Sequence, residues 1–146
     1  MKTVFLILLL TIPALAQTVT YDKFKDETRV SVYKPNMGLS IEWAFTYQGR
    51  ELKENVDTFY VNFTGGRYCN GYCFKDPMLI LLIDGERVDL SDGRHRLGDS
   101  AAFAVDRAVM EKAVNAKLVE YQVGPYEGRW KEKDIRKLFD AGTKRN

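Results

Sequence analysis

The chain has 146 residues, 45% of them hydrophobic, with 22 Lys and Arg against 20 Asp and Glu, one His and two Cys. A formal net charge of +2 offers no basic excess for a phosphate backbone or an anionic lipid surface, so nucleic acid is not expected as a partner. One histidine and two cysteines fall short of the ligand set of a closed zinc site, and no metal or cofactor is expected.

Lys2 is followed by the apolar run Val4 to Leu10, then by Pro13 and the small-residue pattern Ala14-Leu15-Ala16. This is the layout of a secretory signal peptide over residues 1–16, with cleavage before Gln17. A membrane anchor needs about 20 apolar residues, and Thr11 and Pro13 interrupt this run too early, so no stable membrane insertion is expected after cleavage. No cysteine lies beside the cleavage point, which argues against a lipid anchor. The expected location is secreted, either periplasmic or extracellular. Residues 17–146 then form a single globular domain, long enough to bury a core.

Thr18 to Tyr21 and Thr28 to Tyr33 alternate polar with β-branched or aromatic residues on either side of a charged turn, which predicts two strands. Leu39 to Tyr47 alternates for longer, placing Leu39, Ile41, Trp43, Phe45 and Tyr47 on one buried face. Residues 48–56 read as loop and Thr58 to Thr64 as strand. Met78 to Ile83 is apolar at every position, which predicts a central strand covered on both faces. Asp84-Gly85 is a hairpin turn into Arg87 to Leu90, residues 91–100 are a loop, and Ala101 to Val105 is a short strand.

Asp106 is placed to cap a helix over about 107–116, whose Met110, Ala113 and Val114 form an apolar stripe. Leu118 to Val123 and Tyr126 to Trp130 flank a Gly124-Pro125 turn. A last helix over about 132–141 ends with Gly142 in the C-terminal cap position. The expected fold class is α+β: a mostly antiparallel β-sheet or sandwich with two short helices in the C-terminal third.

Both cysteines lie in the stretch Arg-Tyr-Cys-Asn-Gly-Tyr-Cys-Phe, residues 67–74. In an oxidising compartment Cys69 and Cys73 are expected to bond to each other. Their spacing is not the C-x-x-C of thioredoxin-type redox sites. The Asn70-Gly71 pair signals a tight reversal, although a two-residue turn would set Cys69 opposite Tyr72, so the bond needs a longer or irregular loop. Around it Arg67, Tyr68, Tyr72 and Phe74, with Tyr60, make a candidate binding surface, because flat amphipathic rings bind at small entropic cost. The alternative is that half of these rings complete the core.

Catalytic signals are sparse, and no catalytic residue is assigned. His95 is the only imidazole, no nucleophile elbow or phosphate-binding glycine loop is present, and Asp84-Gly85-Glu86 is explained by turn geometry. Asn62-Phe63-Thr64 matches the N-glycosylation sequon, which has meaning only in a eukaryote. The sequence therefore reads as a non-enzymatic binding domain acting on a protein or on an envelope or extracellular polymer such as a polysaccharide. The competing class is a small secreted hydrolase using a carboxylate or His95.

Overall fold

The computed structural model describes residues 17–66, 69, 73, 74, 77–90, 94–96 and 99–143, of which 94–96 are described as backbone. The expected leader, 1–16, lies outside these residues, as do Arg67, Tyr68, Tyr72 and the Asn70-Gly71 pair.

The strands follow the alternation of the sequence: β1 (Gln17–Asp22), β2 (Glu27–Lys34), β3 (Leu39–Gln48), β4 (Thr58–Gly65), β5 (Leu79–Ile83), β6 (Glu86–Leu90), β7 (Arg94–Arg96), β8 (Ser100–Asp106), β9 (Val119–Val123) and β10 (Tyr126–Trp130). They form two antiparallel sheets, one of six strands in the order β1-β2-β3-β4-β8-β7 and one of four in the order β10-β9-β5-β6. Helices α1 (Arg107–Asn115) and α2 (Glu132–Gly142) complete the expected α+β sandwich.

Register decides which face of each sheet is inside. In the large sheet Val32 pairs with Trp43, Trp43 with Val61 and Val61 with Phe103, and all four are at most 1% exposed. In the small sheet Leu81 pairs with Val88 and with Tyr121, which puts their side chains on the face that meets the large sheet. The two inner faces interlock through rings: Trp43 meets Trp130 edge to face at 6.0 Å, and Phe63 meets Tyr121 at 5.5 Å. Burying one such phenylalanine is worth roughly 1.5–3 kcal/mol, so these ring contacts contribute substantially to holding the two sheets together.

The helices pack on the large sheet's inner face, α2 against β2 and β3 and α1 against β4 and β8. Phe139 of α2 stacks on Phe59 at 5.8 Å. The expected cap roles differ from what forms. Asp106 makes no side-chain bond to α1; instead the Asp57 carbonyl accepts the Arg107 N–H at 2.8 Å, so a distant loop satisfies the helix start. Gly142 is the last helical residue, not a left-handed cap, and its use is close packing, since a Cβ there would sit 3.0 Å from the Phe59 ring. The Arg136 guanidinium bonds the Val114 carbonyl and Glu132, tying α2 to the C-terminal end of α1.

Two further expectations are corrected. The loop expected over 91–100 contains a three-residue strand, β7, paired with β8. More consequential is β5, which is an inner strand of the small sheet but is covered on one face only: Leu79, Leu81 and Ile83 are buried, whereas Ile80 is partly buried and Leu82 is 37% exposed.

Candidate functional site

Cys69 and Cys73 are bonded, with sulfurs 2.12 Å and Cα atoms 5.2 Å apart. The bridge lies where the chain passes from the large sheet to the small one. On one side is Gly65 at the end of β4, where a Cβ would come 2.6 Å from Cys69 Sγ. On the other is Tyr126 of β10, whose hydroxyl is 3.2 Å from Cys73 Sγ. Cys69 is 6% exposed, so the bond is a packed local bridge that contacts a strand of each sheet. Phe74 is 1% exposed and its ring is 5.8 Å from that of Tyr126. It belongs to the core and is not part of a binding surface, which corrects the reading of this loop for that residue.

The turn carboxylates are structural as well. Asp84 and Gly85 both have positive φ, 50° and 87°, the geometry of a tight hairpin turn. Asp84 Oδ1 accepts the N–H groups of Lys117 and Leu118, each at 2.9 Å, and so holds the segment entering β9. Glu86 pairs with Lys112 of α1 at 3.0 Å. His95 lies on β7 opposite Ala101; its side chain is outside the described atoms. Among the described residues no group of three or more His, Cys, Asp or Glu is placed to hold a metal ion. Asn62, the sequon residue, sits within β4 and donates to Glu42 at 2.9 Å.

The open face of β5 is a concave feature that gathers unlike groups. Pairing sets the row Arg129, Glu120, Leu82, Arg87 across the small sheet, and beside it the row Glu127, Gln122, Ile80, Asp89. Apart from Asp89, which flanks it, these residues line a groove of about 430 Å³ with two aliphatic side chains at its centre. The polar rim pairs with itself: Arg87 with Asp89 at 2.8 Å, Arg129 with Glu120 at 3.5 Å, and Gln122 with Glu127 at 3.0 Å. Such exposed pairs add little to stability, ~0–1 kcal/mol each, so their arrangement serves the surface more than the fold.

Tyr121 and Gly128 form part of the groove's lining from beneath. A Cβ at Gly128 would lie 2.6 Å from the Tyr121 hydroxyl, so glycine is what lets the ring lie flat across β10 and reach Phe63 and Trp130. Burial pushes the Tyr121 phenol above its ordinary value.

Sequence reasoning missed this groove. The signal was present in the neighbouring strands: Glu120 and Gln122, then Glu127 and Arg129, alternate with inward residues and mark a solvent face. An inner strand flanked by such neighbours must share their exposure on that side.

No protein-family model matches the chain, and no curated protein or solved structure does either. Function is therefore argued from the groove and the chain's chemistry.

Proposed function

We propose that the chain is exported and acts as a non-enzymatic binding domain, with the outer groove of the four-stranded sheet taking a protein partner. The observation that carries this reading is the solvent-facing aliphatic pair, partly buried Ile80 and exposed Leu82, enclosed by a charged and amide rim. An apolar centre inside a polar rim is the anatomy of a protein–protein contact. The groove's outer rows carry no aromatic side chain, whereas sugar rings bind on exposed aromatic faces. Its two arginines and two glutamates balance, which suits a partner of mixed charge over a polyanion.

Export is supported by the leader pattern of residues 1–16 and by the Cys69–Cys73 bond, which persists in oxidising compartments. No helix among the described residues is long and apolar enough to cross a membrane. The hydrolase alternative is weakened because Asp84 and Glu86 are engaged in the turn and in α1 contacts.

A polysaccharide partner is favoured by one separate observation. The outer face of the six-stranded sheet exposes Tyr33 and Tyr60, 52% and 39%, beside the bonded trio Arg29, Glu42 and Asn62. Around them that face carries mostly small and polar residues, which suits it less well to anchoring a protein side chain.

Photocrosslinking separates these readings. A photoreactive residue at position 82, in the full chain produced with its own leader in its native host, is expected to give a discrete protein adduct. The same residue at 104, on the outer face of β8, is expected to give none. No adduct from 82, or equal smears from both positions, would contradict the protein reading.

A further inference from the structure

We infer that Gln17 becomes the amino terminus of the mature chain and closes on itself to pyroglutamate, making residue 17 a modification site. The inference rests on the export reading and on cleavage after Ala14-Leu15-Ala16. The chain's first described strand begins at this residue: Gln17 opens β1 and stands in register with Val32 of β2. Because β1 is the outermost strand of its sheet, one edge of Gln17 faces no strand among the described residues. Its side chain shares a face with Val19, which is 61% exposed, and Gln17 itself is only partly buried. Gln17 is thus neither part of the buried core nor locked between two strands, so its amide can turn back on the α-amine.

The step balances within the residue. The neutral α-amine attacks the side-chain carbonyl carbon Cδ, the N–Cδ bond forms, the Cδ–Nε2 bond breaks, and the departing nitrogen takes a proton and leaves as ammonia. An α-amine ordinarily titrates at about 7.7–8.0, so at neutral pH roughly a tenth or more is in the reactive form. A five-membered ring closing on its own residue has a high effective concentration of the reacting groups. The fold tolerates the product: the lactam keeps one N–H and its backbone carbonyl for pairing with β2, and no preceding peptide constrains the first residue. The product loses the terminal positive charge and presents no free amine to an aminopeptidase.

Intact-mass and amino-terminal peptide spectrometry of the exported protein test this, with a Gln17→Ala variant beside it. The expected result is a chain of residues 17–146 lighter by one ammonia, refractory to Edman sequencing until treated with pyroglutamyl aminopeptidase. Gln17→Ala is expected to show no such loss and to sequence directly. A chain beginning at Gln17 that keeps its free amine after prolonged incubation at neutral pH would overturn this inference while leaving export intact. A chain that retains residues 1–16 would overturn both, and one beginning elsewhere would overturn the inference through its cleavage site.

Discussion

The indoles of Trp43 and Trp130 meet edge to face, with centroids 6.0 Å apart, and join β3 of the large sheet to β10 of the small one. Both are nearly fully buried, at 1% and 4% exposure, and neither Nε1 has a partner among the described residues. The contact therefore works through ring area and shape, not through indole hydrogen bonds. Trp43→Ala is expected to cost about 3–5 kcal/mol, read as a shift in the denaturant midpoint. Trp43→Phe should cost clearly less, because it keeps an aromatic ring and removes a buried donor. Equal losses for the two variants would contradict this.

Adjacent residues of β5 make a sharper test of which face is open. Leu81 is 0% exposed, so Leu81→Asp buries an unpaired carboxylate and should prevent folding. Leu82, one position on, points into the groove, and Leu82→Asp is expected to change stability by no more than about 1 kcal/mol. Circular dichroism and thermal melts check both. Comparable destabilisation would mean that the groove is part of the core.

Asp84 combines a positive φ with two backbone hydrogen bonds to the segment before β9. Asp84→Ala should lose about 1–2 kcal/mol, since alanine tolerates that conformation poorly and accepts neither bond. Asp84→Asn should recover most of the loss, keeping an acceptor and the same backbone tolerance. A large loss in Asp84→Asn would show that the charge matters more than the turn.

Tyr121 gives the domain a pH dependence of defined sign. Burial raises its phenol above the ordinary 10.0, so the folded state holds this proton more tightly than the unfolded chain does. Stability from this group is complete below 10.0 and is lost as pH rises from there through the folded value. Tyr21 adds a change of the same sign, chiefly because its hydroxyl donates to Asp26. Thermal melts across this alkaline range should therefore fall less steeply for Tyr121→Phe than for the wild type. An unchanged slope would show that the ring is solvated.

Period-two alternation made most of the fold legible in the sequence. Strands β3 and β4 each carry one apolar face, as β2 does at Val30 and Val32, and that face is the one the structure buries. The cysteine bond was legible from spacing and the expected compartment. Features that depend on distant partners were not. The Asp57 carbonyl, not Asp106, completes the start of α1, and Gly142 is required by the Phe59 ring across the core. The groove was hidden for the same reason, because an all-apolar strand does not reveal whether its second face meets a layer or solvent. Only pairing with the charged rows of β9, β10 and β6 settles that.

The most direct measurement is the affinity of the protein partner captured at position 82, compared between the wild type, Leu82→Asp and Ala104→Asp by calorimetric titration. The groove reading predicts that Leu82→Asp weakens binding tenfold or more, about 1.4 kcal/mol, while Ala104→Asp binds as the wild type does. Unchanged affinity in Leu82→Asp, or an equal loss in Ala104→Asp, would contradict it.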